Sequence, residues 1–351
     1  MKDYRKIIKA TDAKYVRQLS ERIKKLQEAG SYPHSFDMPV TLQFELLAEC
    51  NLYCKHCYNG SGEHKPTLMQ LEDWKRLANH IVECGGIFQC ILSGGEPLLM
   101  GDGLFDIMDI LHNDGTSFVI ITNGFLLNKE KVNRLSKYRY YWFQVSIDGD
   151  SAEFHDDFRQ VKGSWERAVN GAFEVSMKGM PLVIAHTVTP QTLPRLSQMA
   201  RLAYSLGAST LMIGQVLPSG RANKYSEEIL LSIDEENQMH DMIQKLVAEY
   251  HGKMEIQRAS GIKTQFDRYK VGPNVGCIIR PNGDVRLDCM APFVMGNVLK
   301  ESFHDMWLAR GNNIWNDPRV IEFINSVDED KQYGSIRNYV DDDIILGGNE
   351  G

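Results

Sequence analysis

The chain has 351 residues, 43% hydrophobic and 24% charged, enough for one large α/β domain with a smaller appendage and without the composition of a disordered protein. A formal net charge of −7 argues against a nucleic-acid binder that works through a basic surface. No apolar run approaches the roughly 20 residues needed to span a bilayer, so no membrane-spanning helix is expected.

Residues 1–39 open with MKDYRKIIKATDAKYVRQLSERIKKLQEAG. This reads as a basic amphipathic helix or helix pair, ended by Gly30 and Tyr32-Pro33, with neither the apolar stretch nor the cleavage site of a signal peptide. From Val40 to residue 253, strand-like and helix-like patterns alternate. Val40 to Leu46 alternates apolar and polar residues, as a half-buried strand does. Thr67 with Gln70 three residues on suggests a capping box. The helix after it carries Leu71, Trp74, Ala78, Ile81 and Val82 at helical spacing and stops at Gly85-Gly86. Further strands are predicted at 87–93, 117–123, 141–147, 181–188 and 210–217, and helices near 102–114, 128–138, 165–178, 194–206 and 232–250. Six strand–helix pairs imply an α/β fold with a parallel sheet, and six being fewer than eight, a partial (β/α)6 TIM-like barrel or an open sheet fits. Ligands then bind at the C-terminal ends of the strands, where Cys50, Gly94, Asn123, Ser146 and Asp148 fall.

Residues 254–310 change character. Val271 to Lys300 is rich in Gly, Pro and Asn, and Arg280 to Asp284 reads as a hairpin turn, so a small C-terminal α+β module is expected. Residues 311–351 form a tail whose acidic runs, Asp328-Glu329-Asp330 and Asp341-Asp342-Asp343, read as solvated or frayed.

Seven cysteines are an odd number and do not form a disulfide framework. Clustered thiols without a signal peptide point to a metal or redox site in a reducing compartment, hence the cytoplasm. Cys84 and Cys90 read as core residues. Cys50, Cys54 and Cys57 place three thiols in eight residues. Four thiolates normally hold an iron–sulfur cluster, so three would leave one iron open to a substrate or cofactor. The spacing favours a cluster over zinc. A zinc site with a remote fourth ligand such as His56 or His64 stays open on the residues alone.

The run from Cys50 to Cys57 resembles the CxxxCxxC signature of the radical S-adenosylmethionine (SAM) superfamily, with His56 just before the last cysteine. Gly94-Gly95-Glu96-Pro97 resembles that family's GGEP, Asn123-Gly124 its TNG, and Ser146-Ile147-Asp148-Gly149 its SIDG. The resemblance implies a [4Fe–4S] cluster on Cys50, Cys54 and Cys57. Its open iron would chelate S-adenosylmethionine, whose reductive cleavage yields a 5′-deoxyadenosyl radical that abstracts hydrogen from substrate. It further implies that the backbone of Gly94 to Pro97 and Glu96 receive the methionine amino group, and that Ser146 and Asp148 contact the ribose. Arg159 is placed to hold cofactor or substrate, with a surface ion pair the competing reading for it and for His155. One of His186 and Thr187 should face the site, His186 fitting better as a satisfied core histidine. Leu217 or its neighbours, near Gln215 and the turn Pro218 to Arg221, would meet the adenine. An electron donor such as flavodoxin or ferredoxin is implied as partner.

Cys277 and Cys289, with the intervening Gly283, resemble the start of the SPASM or twitch extension, which elsewhere binds auxiliary clusters. No cysteine follows Cys289 and two thiols cannot fill four positions, so a standard auxiliary cluster is not expected, a cluster with non-cysteine or partner-supplied ligands being the alternative. The module should close the open end of the barrel. The resemblance favours modification of a peptide or protein by crosslinking, thioether formation or epimerisation. A small-molecule reaction, such as a decarboxylation in tetrapyrrole or cofactor synthesis, is the alternative enzyme. A metal-stabilised binding protein on a retired enzyme fold is the non-enzymatic reading.

Overall fold

Short runs of β-branched and aromatic residues alternate with amphipathic helices along most of the chain, and each crossover brings the next strand parallel to the last. The computed structural model describes residues 4–62, 67–327 and 343–346. His64 and the acidic runs at 328–330 and 341–342 lie outside the described residues.

The first element is one helix, α1 (Tyr4–Glu28), followed by β1 (Thr41–Glu45) and α2 (Leu71–Glu83). Next come β2 (Gln89–Ser93), α3 (Asp102–Asn113), β3 (Ser117–Thr122), α4 (Lys129–Leu135) and β4 (Tyr140–Ser146). Two helices, α5 (Ala152–Arg159) and α6 (Ser164–Met177), lead to β5 (Leu182–Val188), α7 (Leu196–Ser205) and β6 (Thr210–Gln215). A short α8 (Ser226–Ile229) and the long α9 (Ile233–Glu249) precede β7 (Glu255–Arg258) and α10 (Ile262–Tyr269). The chain then forms β8 (Gly276–Ile279), β9 (Asp284–Arg286), β10 (Phe293–Asn297), α11 (Phe303–Arg310), α12 (Pro318–Ser326) and β11 (Ile344–Ile345).

Strands β1 to β7 lie in sequence order, each parallel to the next. The expected strands and helices of this region are all present, with ends shifted by a few residues. Helices α5 and α8, the seventh strand β7 and helix α10 escaped the sequence reading. One cap differs. Thr67 does not start α2; its hydroxyl accepts from the Ala48 N–H at 3.0 Å and donates to Glu49 at 2.5 Å. Gln70 is the N-cap, and the Asp73 carboxylate accepts its backbone N–H at 2.9 Å.

The C-terminal residues extend the same sheet. Strand β8 pairs parallel with β1, and β9 folds back antiparallel on β8 through the expected hairpin. Among the described residues the sheet therefore has eleven strands, with β1 in its interior. Asp343, expected in a solvated tail, instead accepts the buried guanidinium of Arg280 at 2.7 and 3.1 Å. On β1, Leu42 and Phe44 are fully buried, Phe44 packing its ring 5.1 Å from Trp74 of α2. Gln43 and Glu45 point the other way, into the lumen that the curved sheet encloses. No helix among the described residues is long and apolar enough to cross a membrane.

Candidate active site

The loop after β1 carries Cys50, Cys54 and Cys57. Three distant segments hold it in shape. The end of α5 supplies carbonyls: Phe158 accepts the Lys55 N–H at 2.9 Å and Arg159 that of Tyr53 at 3.2 Å. His56 stacks on Phe158, centroids 4.4 Å apart and nearly parallel. The turn before α8 supplies Arg221, whose guanidinium donates to Cys54 O at 3.1 Å and Ser61 O at 2.7 Å and lies 3.5 Å from the Tyr53 ring centroid. Gly220 has φ +58° and its backbone packs so closely that a Cβ would stand 2.3 Å from the Tyr58 carbonyl. Third, buried Lys55 reaches Asp157 of α5 at 2.8 Å and Glu228 of α8 at 2.5 Å.

Donors already point at the sulfurs. The Leu52 N–H meets Cys50 Sγ at 3.5 Å and the Ser61 N–H meets Cys57 Sγ at 3.4 Å. Asn123 Nδ2 stands 3.7 Å from Cys50 Sγ, and Arg159 Nη1 stands 3.6 Å from Cys54 Sγ. Burial pushes the Cys50 thiol up to about 12 and raises that of Cys54, with Arg159 working against the rise. Without a metal these thiols keep their protons; loading must displace them.

Gly94 and Gly95 fold over this loop. A Cβ on Gly95 would fall 1.9 Å from the Glu49 carbonyl, and Gly95 N–H donates to Leu47 O at 2.6 Å. Glu96 is 1% exposed. Its carboxylate accepts from Leu98 N at 3.1 Å, Thr122 Oγ1 at 2.7 Å and Asn123 N at 2.9 Å. Both oxygens are thus engaged, and Glu96 ties the end of β2 to the end of β3. Pro97, buried with Leu98, begins the 3-10 turn that follows.

Beyond β4, Asp148 is also committed internally. Its carboxylate accepts from Thr187 N at 2.7 Å and from Arg159 Nε at 2.7 Å. Its own N–H donates to His155 Nδ1 at 3.0 Å. The expected surface alternative for Arg159 and His155 does not hold, because both are buried. His186 is a core histidine, 2% exposed with Nδ1 3.2 Å from Ile147 O. Ser146 shares the inward face of β4 with Trp142 and Gln144.

A cavity of about 750 Å³ opens inside the sheet, walled by α1, β6, β7, α10 and the segment after β9. Trp142, Gln215, Leu217, Tyr269 and Cys289 line it, whereas the three clustered cysteines do not. Cys289 and Met290 bring the C-terminal segment into this wall. Cys277 pairs in register with Leu42 and so shares its outward, helix-covered face. It points away from the lumen that Cys289 lines. Cys90 is fully buried and Cys84 partly, and all seven cysteines are free.

Residues 44–203 match the family described as the Radical SAM superfamily. Residues 44–203 are a radical SAM domain. The chain's SPASM/twitch-type relatives include the mycofactocin maturase MftC of Mycolicibacterium smegmatis, 29% identical over 288 residues, 79% of this chain and 72% of that one. An AdoMet-dependent heme synthase of Methanosarcina barkeri is 29% identical over 288 residues, 77% of this chain and 82% of its own. Among solved structures, Streptococcus suis SuiB bound to S-adenosylmethionine superposes with TM-score 0.66 at 15% identity, over 91% of this chain and 75% of that one. SuiB bound to its precursor peptide SuiA gives 0.63 at 14%, over 86% and 69%. At such identities the likeness is one of fold.

As a radical SAM enzyme the protein takes a [4Fe–4S] cluster and S-adenosylmethionine as cofactors. The residues present fit this pair. Three thiols with an N–H donor at each sulfur suit a cluster with one open iron. Buried polar atoms await partners beside them: His56 Nδ1 and Asn51 Nδ2 have none among the described residues. Among those residues no three His, Cys, Asp or Glu side chains gather as tightly as one bare ion requires. Thiolates on a cluster bind separate irons and stand further apart. Arg221 and Phe158 were missed as parts of the site, although Arg159 at the same end of α5 was expected there. The turn Pro218 to Arg221 had drawn notice only for its place after β6.

Proposed function

We propose that Cys50, Cys54 and Cys57 each ligate one iron of the [4Fe–4S] cluster, and that the enzyme modifies a peptide or protein substrate. The observation that carries the first part is the gathering of the three thiols, Gly94 to Pro97, Asn123 and Ser146 at the C-terminal ends of β1 to β4. When bound there, the cofactor pair supplies reductive cleavage of S-adenosylmethionine and removal of a hydrogen atom from substrate. The chain's residues bind and orient. The Gly94–Gly95 backbone, packed without side chains, receives the methionine amino group, with Glu96 holding that segment from behind. Ser146 meets the ribose, and His56 and Leu217 flank the adenine. Asp148 and Arg159 support the site through each other rather than by contact with the ribose. The lumen cavity, lined in part by α1 and the C-terminal segment, receives the substrate group that is to lose hydrogen.

Peptide modification is supported by the relatedness to MftC and by the shared fold with SuiB, which has been seen with its precursor peptide. The heme synthase relative, equally identical, supports the second reading of a small-molecule substrate. Flavodoxin or ferredoxin fits as electron donor, and a reducing cytoplasm suits seven free thiols.

The test is release of 5′-deoxyadenosine from S-adenosylmethionine by anaerobically reconstituted, dithionite-reduced protein. A variant with all three cysteines changed to Ala serves as control. Release by the wild type alone supports the chemistry; release by both, or iron retained by the triple variant, overturns the ligand assignment. Candidate precursor peptides encoded beside the gene, assayed against porphyrin-type substrates, separate the two substrate readings by which one is converted.

A further inference from the structure

We propose that the buried pair of Arg159 and Asp148 sets the reduction potential of the cluster, with the Arg159 guanidinium acting on the sulfur of Cys54. This rests on the assignment of Cys54 as a ligand. Arg159 Nη1 is 3.6 Å from Cys54 Sγ. The other side of the same guanidinium meets Asp148 Oδ2 through Nε at 2.7 Å and Nη2 at 2.5 Å. The pair is thus oriented, positive end toward the sulfur and negative end beyond it.

The orientation is fixed from both ends. Asp148 Oδ1 is held by the Thr187 N–H of β5 at 2.7 Å. The Arg159 carbonyl accepts the N–H of Tyr53, the residue before Cys54, at 3.2 Å. Arg159 is therefore attached to the cysteine loop by main chain and side chain together. The two side chains are 8% and 1% exposed, so water screens them little and their field acts at close to full strength.

A cluster gains one negative charge when an external reductant gives it an electron. Net charge and hydrogen bonds to its sulfurs set how readily that happens. A guanidinium on a ligating sulfur favours the reduced form, and a carboxylate behind it opposes that effect. The two residues are then positioning residues with opposite signs. A buttress that merely shaped the loop would change how much cluster is retained, not the potential of what is retained.

The experiment is an electron paramagnetic resonance-monitored redox titration of the reconstituted full-length enzyme, with iron content measured on the same samples. Wild type, Asp148→Asn and Arg159→Gln are compared. The expected order is Arg159→Gln below wild type and Asp148→Asn above it. Variants that load iron and titrate at the wild-type potential, or that both move the same way, overturn the proposal while leaving the ligand assignment standing. If Arg159→Gln does not hold its cluster, the isosteric Asp148→Asn decides alone, and a potential at or below wild type sinks the idea. A wild type that loads no cluster with its three cysteines intact removes the ligand assignment and this proposal with it.

Discussion

Asp148 takes the Thr187 N–H and the Arg159 guanidinium on its two oxygens, whereas Ser146, two residues earlier, ends its strand toward the lumen. Their substitution should therefore fail in different ways. Ser146→Ala is expected to weaken S-adenosylmethionine binding about fivefold, one ordinary hydrogen bond of about 1 kcal/mol, with an unchanged melting temperature. Asp148→Ala leaves a buried cation alone and should cost about 3–5 kcal/mol of stability. Calorimetric titration with S-adenosylmethionine and thermal unfolding of both variants check the pair; equal losses of stability would refute it. Burial also holds nearby histidines neutral, His56 down to about 4, His155 down to about 3, and His186 lowered. The unfolded chain takes up these protons first. Their contribution is thus fully present above the ordinary histidine value of about 6.5 and is lost as pH falls toward 4, by up to about 1.4 kcal/mol per pH unit for each histidine. Glu96, raised by burial, offsets part of this loss, and Asp148, held low by Arg159, keeps its contribution throughout. Urea midpoints of the metal-free protein between pH 7.5 and 4.5 should fall; a flat profile would sink the claim. That the three cysteines, Gly94 to Pro97 and Asn123 come together was legible in the sequence because their types and spacing are restrictive. Arg221 was not, because its partners at Cys54 and Ser61 lie more than 150 residues away along the chain.

At the level of elements, the site depends on two pieces docked against the cysteine loop, the end of α5 and the turn around Gly220. The turn tolerates no side chain: φ is +58° and a Cβ would meet the Tyr58 and Cys57 carbonyls at 2.3 and 2.5 Å. Gly220→Ala should lift Arg221 from the loop and cost about 1–3 kcal/mol. Reconstituted Gly220→Ala should lose iron to a chelator faster than wild type; equal rates would show that the turn is not a clamp. Strands β2 to β6 were readable because their apolar runs are long enough to separate from the helices around them. β7, the four residues Glu-Ile-Gln-Arg, offers one apolar position and no period. Thr67 misled for a different reason. Leu68 and Met69 donate their N–H groups to Pro281 O at 2.9 and 2.8 Å, a long-range pairing that delays the helix to Leu71 and that no local pattern encodes.

For the whole molecule, the C-terminal residues continue the central sheet. Cys277 faces the helix layer with Leu42, and Cys289 faces the lumen cavity, so the two cannot serve one cluster. Reconstituted enzyme should bind about four irons per chain, and Cys289→Ala should leave that count unchanged. A drop below the wild-type count would overturn this, and iron analysis beside visible absorption reads it directly. The α/β class was legible in the alternation of elements. The return of β8 to β1 was not, since pairing partners 235 residues apart, such as Thr41 and Gly276, leave no local trace. That pairing also bears on how the molecule is made. Emerging from the ribosome, β1 can find β2 early, but its other edge must stay bare until residue 279 has been synthesised. For most of translation the nascent chain carries an open strand edge, the feature most prone to pairing with another chain. A chain halted before Gly276 should therefore reach the insoluble fraction, while one halted after the hairpin of β8 and β9 has its own edge to close.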